Sequence, residues 1–136
     1  MTPSQLDINQ IHIPSAPGEL LDKLTILELK KEFVKDPAKL ANITYELESL
    51  LQTKEAHIPK TPHIDALYND LKKTNHKLWI IEDDIRDCER KKQFDQTFID
   101  LARAVYITND RRCEIKREIN DFLGSRIIEE KSYQPY

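Results

Sequence analysis

Apolar side chains recur every three to four residues along most of the chain, and prolines cut that rhythm into segments. The longest uninterrupted segment runs from His63 to Gln134, without a proline. In its first part Leu67, Leu71, Thr74, Leu78, Ile81, Ile85 and Cys88 alternate spacings of four and three. Phe94, Phe98, Leu101, Val105, Thr108, Arg112, Ile115, Ile119 and Phe122 continue the alternation in the second part. This is the 3.5-residue repeat of a coiled-coil seam, and it predicts two long helices. The break lies near Lys92-Gln93, where Asp95 can cap the second helix and Phe94 and Ile99 can staple around it. The two stripes close on one another in a single antiparallel register. Ile85 faces Leu101, Ile81 faces Val105, Leu78 faces Thr108, Thr74 faces Arg112 and Leu71 faces Ile115. Each arm is then about 40 Å long. Mid-seam sits a polar layer of Thr74, Thr108 and Arg112. Cys88 lies opposite Phe98, so Cys113 is roughly 22 Å away along the partner arm, too far for a disulfide.

The first half is shorter-phrased. Pro3, Pro14 and Pro17 hold residues 1–17 out of helix as an extended arm. Within it Ile8, Ile11 and Ile13 form either a short strand or a packing edge. Gly18 opens a helix over roughly Glu19 to Val34, with Leu20, Leu21, Leu24, Leu27 and Phe33 apolar. Asp36-Pro37 stops it and starts the next, Asp36 as cap and Pro37 at the first position. That helix carries Leu40, Ile43, Leu47, Leu50 and Leu51, and a linker from His57 to Pro62 follows. The pattern predicts one all-α domain of two antiparallel helical hairpins in an elongated bundle. The first hairpin spans 18–56. The C-terminal one, 62–124, is long and coiled-coil-like, and residues 125–136 form a docked tail behind the helix stop at Gly124.

Composition narrows the functional classes. Gly18 and Gly124 are the only glycines among 136 residues. That argues against a glycine-rich phosphate loop and against Rossmann, sandwich and barrel folds. With 21 Lys+Arg against 24 Asp+Glu, no strong field attracts nucleic acid or an anionic membrane. No apolar run suits membrane insertion, and the start lacks signal-peptide character, so a cytoplasmic location is expected. The four histidines fall in different segments without zinc spacing, and no metal or cofactor is implied.

Candidate chemistry lies on a second stripe, one residue after the seam. It reads Asn75, Trp79, Glu82, Arg86, Glu89 on one helix and Ala102, Tyr106, Asn109, Cys113, Lys116, Asn120 on the other. In an antiparallel pair these share one flank, with Trp79 beside Tyr106. Two readings of this flank stay open. In one the first hairpin docks there, Trp79 and Tyr106 are core aromatics, and Glu82 and Arg86 are an ordinary ion pair one turn apart. In the other Glu82, Arg86, Tyr106 and Asn109 converge on a small polar ligand between the hairpins. Arg112, a guanidinium at a seam position, needs a partner such as Asp110, a tail carboxylate or an anionic ligand. The tail, with Ile127, Ile128, Tyr133 and Tyr136, docks and can carry Glu130 or Lys131 back to the polar flank.

These residues carry a family resemblance. Gly18-Glu19-Leu20-Leu21-Asp22-Lys23, Leu78-Trp79-Ile80-Ile81-Glu82-Asp83-Asp84-Ile85-Arg86, Asn109-Asp110-Arg111-Arg112 and Glu129-Glu130-Lys131-Ser132-Tyr133 resemble, in combination, a bacterial and phage family of small helical proteins of unknown function. Similar Leu-Trp-x-x-Glu-Asp and Asn-Asp-x-Arg signatures occur in another uncharacterised helical family. Both are often encoded near cell-surface glycosyltransferases, which implies a link to surface-polysaccharide biosynthesis. The expected function is a non-catalytic accessory or binding module, meeting a glycosyltransferase or an anionic sugar metabolite. Trp79 and Tyr106 would stack a ring there, and Arg86, Arg112 and Lys116 would meet negative groups. One alternative is a small enzyme acting on a phosphorylated or nucleotide-linked sugar, with Glu82 or Asp83 as general base. A pure scaffold is the other. The ends of so slim a bundle also invite a homodimer.

Overall fold

The computed structural model describes residues 9–136, which form four helices in chain order. They are α1 (Pro17–Phe33), α2 (Pro37–His57), α3 (Pro62–Arg90) and α4 (Gln96–Leu123). The fold is all-α, a bundle of two antiparallel hairpins, as the apolar periodicity predicts. Local chemistry sets most boundaries. Asp36 accepts the Ala38 N–H at 3.0 Å ahead of Pro37, and Thr61 accepts the Ile64 N–H at 3.1 Å ahead of Pro62. Asp95 accepts the Phe98 N–H at 3.4 Å, closing the turn at Lys92-Gln93. Gly124 ends α4 at φ 68°, and the Ser125 N–H returns 2.9 Å to the Asn120 carbonyl.

Two local expectations need correction. Pro17 is the first residue of α1 rather than the end of the arm, because a proline tolerates a helix's first position. Ile8 lies outside the described residues, and Ile11 and Ile13 form no strand and are 81% and 75% exposed. At the turn before α4, Phe94 packs edge-on against Phe98, 5.2 Å between ring centroids.

The core gathers at one end of the long hairpin. Leu21, Leu24 and Leu27 of α1, Leu47 of α2, Ile64, Leu67 and Leu71 of α3, and Ile115 and Ile119 of α4 bury one another. The contact of His63 with Phe122, 4.4 Å between rings, is one position from the pair that the Leu71–Ile115 register predicts a heptad on. At its start α1 lies against α4. By Phe33 it has crossed onto α3, where its ring packs 5.4 Å from His76 and 5.5 Å from Trp79. Past that point α3 and α4 continue as a two-helix end over residues 80–107. Only Ile81 and Cys88 are buried along it. Both cysteines are free.

Candidate functional site

The first turn of α1 has no side-chain cap of its own. Its Gly18 N–H instead donates 2.7 Å to Asn120 Oδ1 of α4. This satisfies one of the orphan amides at a helix start with a group from another helix. The approach is close enough to require glycine: a Cβ at Gly18 would stand 2.5 Å from the Lys116 carbonyl oxygen. At the next residue, Glu19 Oε2 accepts from Lys116 Nζ at 2.7 Å, and Glu129 of the tail accepts from the same ammonium at 3.1 Å. Burial works to lower the Lys116 pKa, but its bonds to Glu19 and Glu129 outweigh that, and it rises.

The next turn carries Asp22, which is 1% exposed. Both its carboxylate oxygens accept from Arg112, Nε at 2.8 Å and Nη2 in a closer contact. This fork-on-fork pairing is the strongest geometry available to the two groups. Asn75 of α3 donates 2.9 Å to Asp22 Oδ1 and 2.8 Å to Thr25 Oγ1. Thr25 in turn donates 2.7 Å to the Asp22 carbonyl, and Arg112 Nη1 donates 3.3 Å to Asn109 Oδ1. The bond with Asp22 raises the Arg112 pKa against the opposing effect of burial. Among the described residues no buried side-chain polar atom lacks a partner. A buried network satisfied throughout locks three helices in one geometry.

The tail runs back along α4. Glu129 meets Lys116, Lys131 pairs with Asp110, and Tyr136 donates to Asp110 while its ring stands edge-on to Tyr106 at 5.2 Å. A cleft of about 140 Å³ lies beside it, lined by Pro14, Ala16, Glu19, Lys116, Asn120 and Glu129 among others.

The expected site residues thus divide. Arg112, Asn109 and Lys116 join one buried assembly, but with partners from α1. Arg112 takes Asp22 rather than Asp110 or a tail carboxylate, because α1 crosses the seam where a carboxylate can reach it. Trp79 turns to Phe33, and Tyr106 to Tyr136. Glu82 and Arg86 pair with each other on an exposed surface, as i,i+4 neighbours. Asp83 and Glu130 are exposed, and Glu129 and Lys131 are the tail charges that return. Neither the cleft at Lys116 nor a second one between α1 and α3 is lined by Glu82, Arg86, Tyr106 or Asn109.

Sequence reasoning assigned no role to Asp22, Glu19 or Thr25. The signal was present: Gly18, Asp22, Thr25 and Leu29 follow helical spacing on the apolar side of α1, which puts a carboxylate where a core residue belongs. Burial pushes the Cys113 thiol pKa up, so it stays protonated and weakly nucleophilic. Among the described residues no three His, Cys, Asp or Glu side chains are placed to hold a metal ion. No described helix is long and apolar enough to cross a membrane.

No curated protein and no solved structure matches the chain. A family model described as a family of unknown function, DUF6165, matches residues 10–136, and the chain belongs to that family.

Proposed function

We propose that this protein is a non-catalytic cytoplasmic accessory module of surface-polysaccharide biosynthesis. In this reading it recognises a partner enzyme, a glycosyltransferase, through the flank of α3 and α4 that carries Glu82, Arg86, Ile99 and Tyr106. The pathway and the partner's class rest on the family resemblance. The mode of recognition rests on charge balance at the helix junction. Every cation there is already matched: Arg112 by Asp22, Lys116 by Glu19 and Glu129, Lys131 by Asp110. An anionic sugar would have to displace carboxylates from these groups, at the cost of leaving Asp22 buried and unpaired. Further out, Tyr106 and Ile99 are 43% and 47% exposed beside an ion pair open to water. Aromatic and aliphatic groups rimmed by charges suit a protein interface.

Catalysis through Glu82 or Asp83 finds little support. Glu82 is held by Arg86 in an exposed ion pair and Asp83 faces water, and neither lines the cleft at Lys116 or the one between α1 and α3 where a substrate could be held against it. The cleft at Lys116 is the observation that favours a small ligand instead, and one experiment separates the two. A purified surface-polysaccharide glycosyltransferase is titrated onto immobilised protein, and nucleotide sugars and phosphosugars are screened by thermal shift. Binding of the enzyme, weakened about tenfold or more by Tyr106→Ala, is expected, with no shift from the sugars. A sugar that raises the melting temperature, or is turned over, would replace this reading with the ligand one.

A further inference from the structure

The flank of the long hairpin turned away from the Asp22–Arg112 junction, with Lys73 at its edge beside the cleft between α1 and α3, has a charge order that mirrors itself. It consists of the residues just before the seam positions. Outward from Ile80 in one direction come Lys77, Lys73 and Asp70; in the other come Asp84, Asp87 and Lys91. The signs read plus, plus, minus on one side and minus, minus, plus on the other. The residues of α4 just before its seam share this flank, as shown by Arg111 reaching Asp70 at 4.0 Å. Ile80 and Ile107 lie on it, 48% and 46% exposed. Among the described residues Lys73, Lys77, Asp84 and Lys91 make no ion pair, whereas Asp70 meets Arg111 and Asp87 meets Arg90, both on exposed surface and free to be shared with a second copy.

We propose that this flank binds a second copy of the chain, antiparallel, about a two-fold axis passing next to Ile80. Such an axis sets each position opposite the one at the same distance on the other side of the centre. Lys77 then meets the partner's Asp84, Lys73 meets the partner's Asp87, and Asp70 meets the partner's Lys91, each pair occurring twice. The seam register carries the same centre onto α4, next to Val105. There Asp100 falls opposite the partner's Arg111, and Ile107 opposite the partner's Ala104. Complementarity on both helices from a single axis is the observation that selects a second copy over an unrelated partner. Sliding by one heptad destroys it, opposing Asp84 with the partner's Asp84 in one direction and Lys77 with the partner's Lys77 in the other. Exposed ion pairs add little affinity each, so their role is to fix register. Burial comes from Ile80, Ile107, Ala104 and the lysine stems. From Asp70 to Lys91 the face is about 32 Å long and roughly 20 Å wide. That is of the order of the ~800 Å² per partner in a standard interface. The inference does not depend on the proposed function, which uses the other flank and leaves it open in the dimer.

Sedimentation equilibrium of the full chain tests it. Wild type is expected at about 32 kDa, twice the 16.0 kDa chain. Lys77→Glu and Asp84→Lys should each weaken the dimer at least about tenfold by opposing like charges. Mixing these two variants should restore a dimer. The carboxylate introduced at position 77 of one then faces the ammonium introduced at position 84 of the other, and the unchanged Asp84 of the first faces the unchanged Lys77 of the second. The double variant Lys77→Glu/Asp84→Lys should also self-associate like wild type. Positions 77 and 84 are two helical turns apart, so no local helix effect produces that rescue. Far-UV circular dichroism shows each variant folded. A wild-type chain that stays monomeric at tens of micromolar, a dimer indifferent to the single swaps, or a mixture that fails to associate would overturn the proposal.

Discussion

Asp22 and Arg112 show how far one residue pair can govern this fold. The carboxylate is buried and the guanidinium side chain keeps 27% of its exposure, so removing either partner has unequal consequences. Without Asp22, Arg112 can turn to water, and Asn75 still donates to Thr25. Without Arg112, Asp22 stays buried beside Asn75 with its charge unmatched. Asp22→Ala is expected to cost about 3 kcal/mol in urea unfolding, Arg112→Ala at least as much, and the double change to leucine less than either. The guanidinium on the seam was legible as an anomaly in the sequence. Its partner was not, because periodicity gives the phase of each helix but not the place where α1 crosses the hairpin. Lys116 adds a pH signature. Its pKa is raised in the folded chain, so its stabilisation is present in full below the ordinary lysine value of 10.5 and is lost as pH rises through the folded value. Wild type should therefore lose melting temperature more steeply above that pH than Lys116→Met, which lacks the titration.

Helices and tail differ in how they are specified. The seams of α3 and α4, the Asp36 and Asp95 caps and the Gly124 stop are each local features, and each was readable from spacing and residue type. The tail has no period to read. Its course depends on Glu129, Lys131 and Tyr136 finding charges already displayed on α4, an arrangement that exists only once the helix is packed. The same limit hid the α1 contacts: Gly18 reads in sequence only as the start of a helix, and in the fold it is also a point of close approach to Lys116 and Asn120. Deleting residues 125–136 is expected to keep the four helices and lower the melting temperature by a few degrees. Exposed pairs contribute little, but Lys116 is buried and loses one of two carboxylates. Circular dichroism at 222 nm checks both parts; loss of the helical signal would make the tail a folding element rather than a strap.

Across the whole molecule, stability is concentrated at one end. The core cluster, the buried polar network and the first turn of α1 all lie where α1 crosses the hairpin, whereas residues 80–107 rely on one seam and the contact of Tyr106 with Tyr136 of the tail. Local opening free energies follow buried contacts, so the two-helix end should open far more often than the base. Native-state hydrogen exchange of the Lys77→Glu variant, as a monomer, is expected to show residues 80–107 exchanging at least about tenfold faster than residues 18–29. In wild type at high concentration the dimer would cover Ile80 and Ile107 and slow exchange in 80–107, leaving 18–29 unchanged. Uniform protection in the monomeric variant would mean that the seam alone, with Ile81 and Cys88 buried, holds the far end as firmly as the three-helix junction holds the base. The concentration of stability at one end also suits the division of labour proposed for the flanks. The junction fixes the hairpin's direction, and the extended end offers one side to a second copy and the other, with Tyr106 and Ile99, to an enzyme.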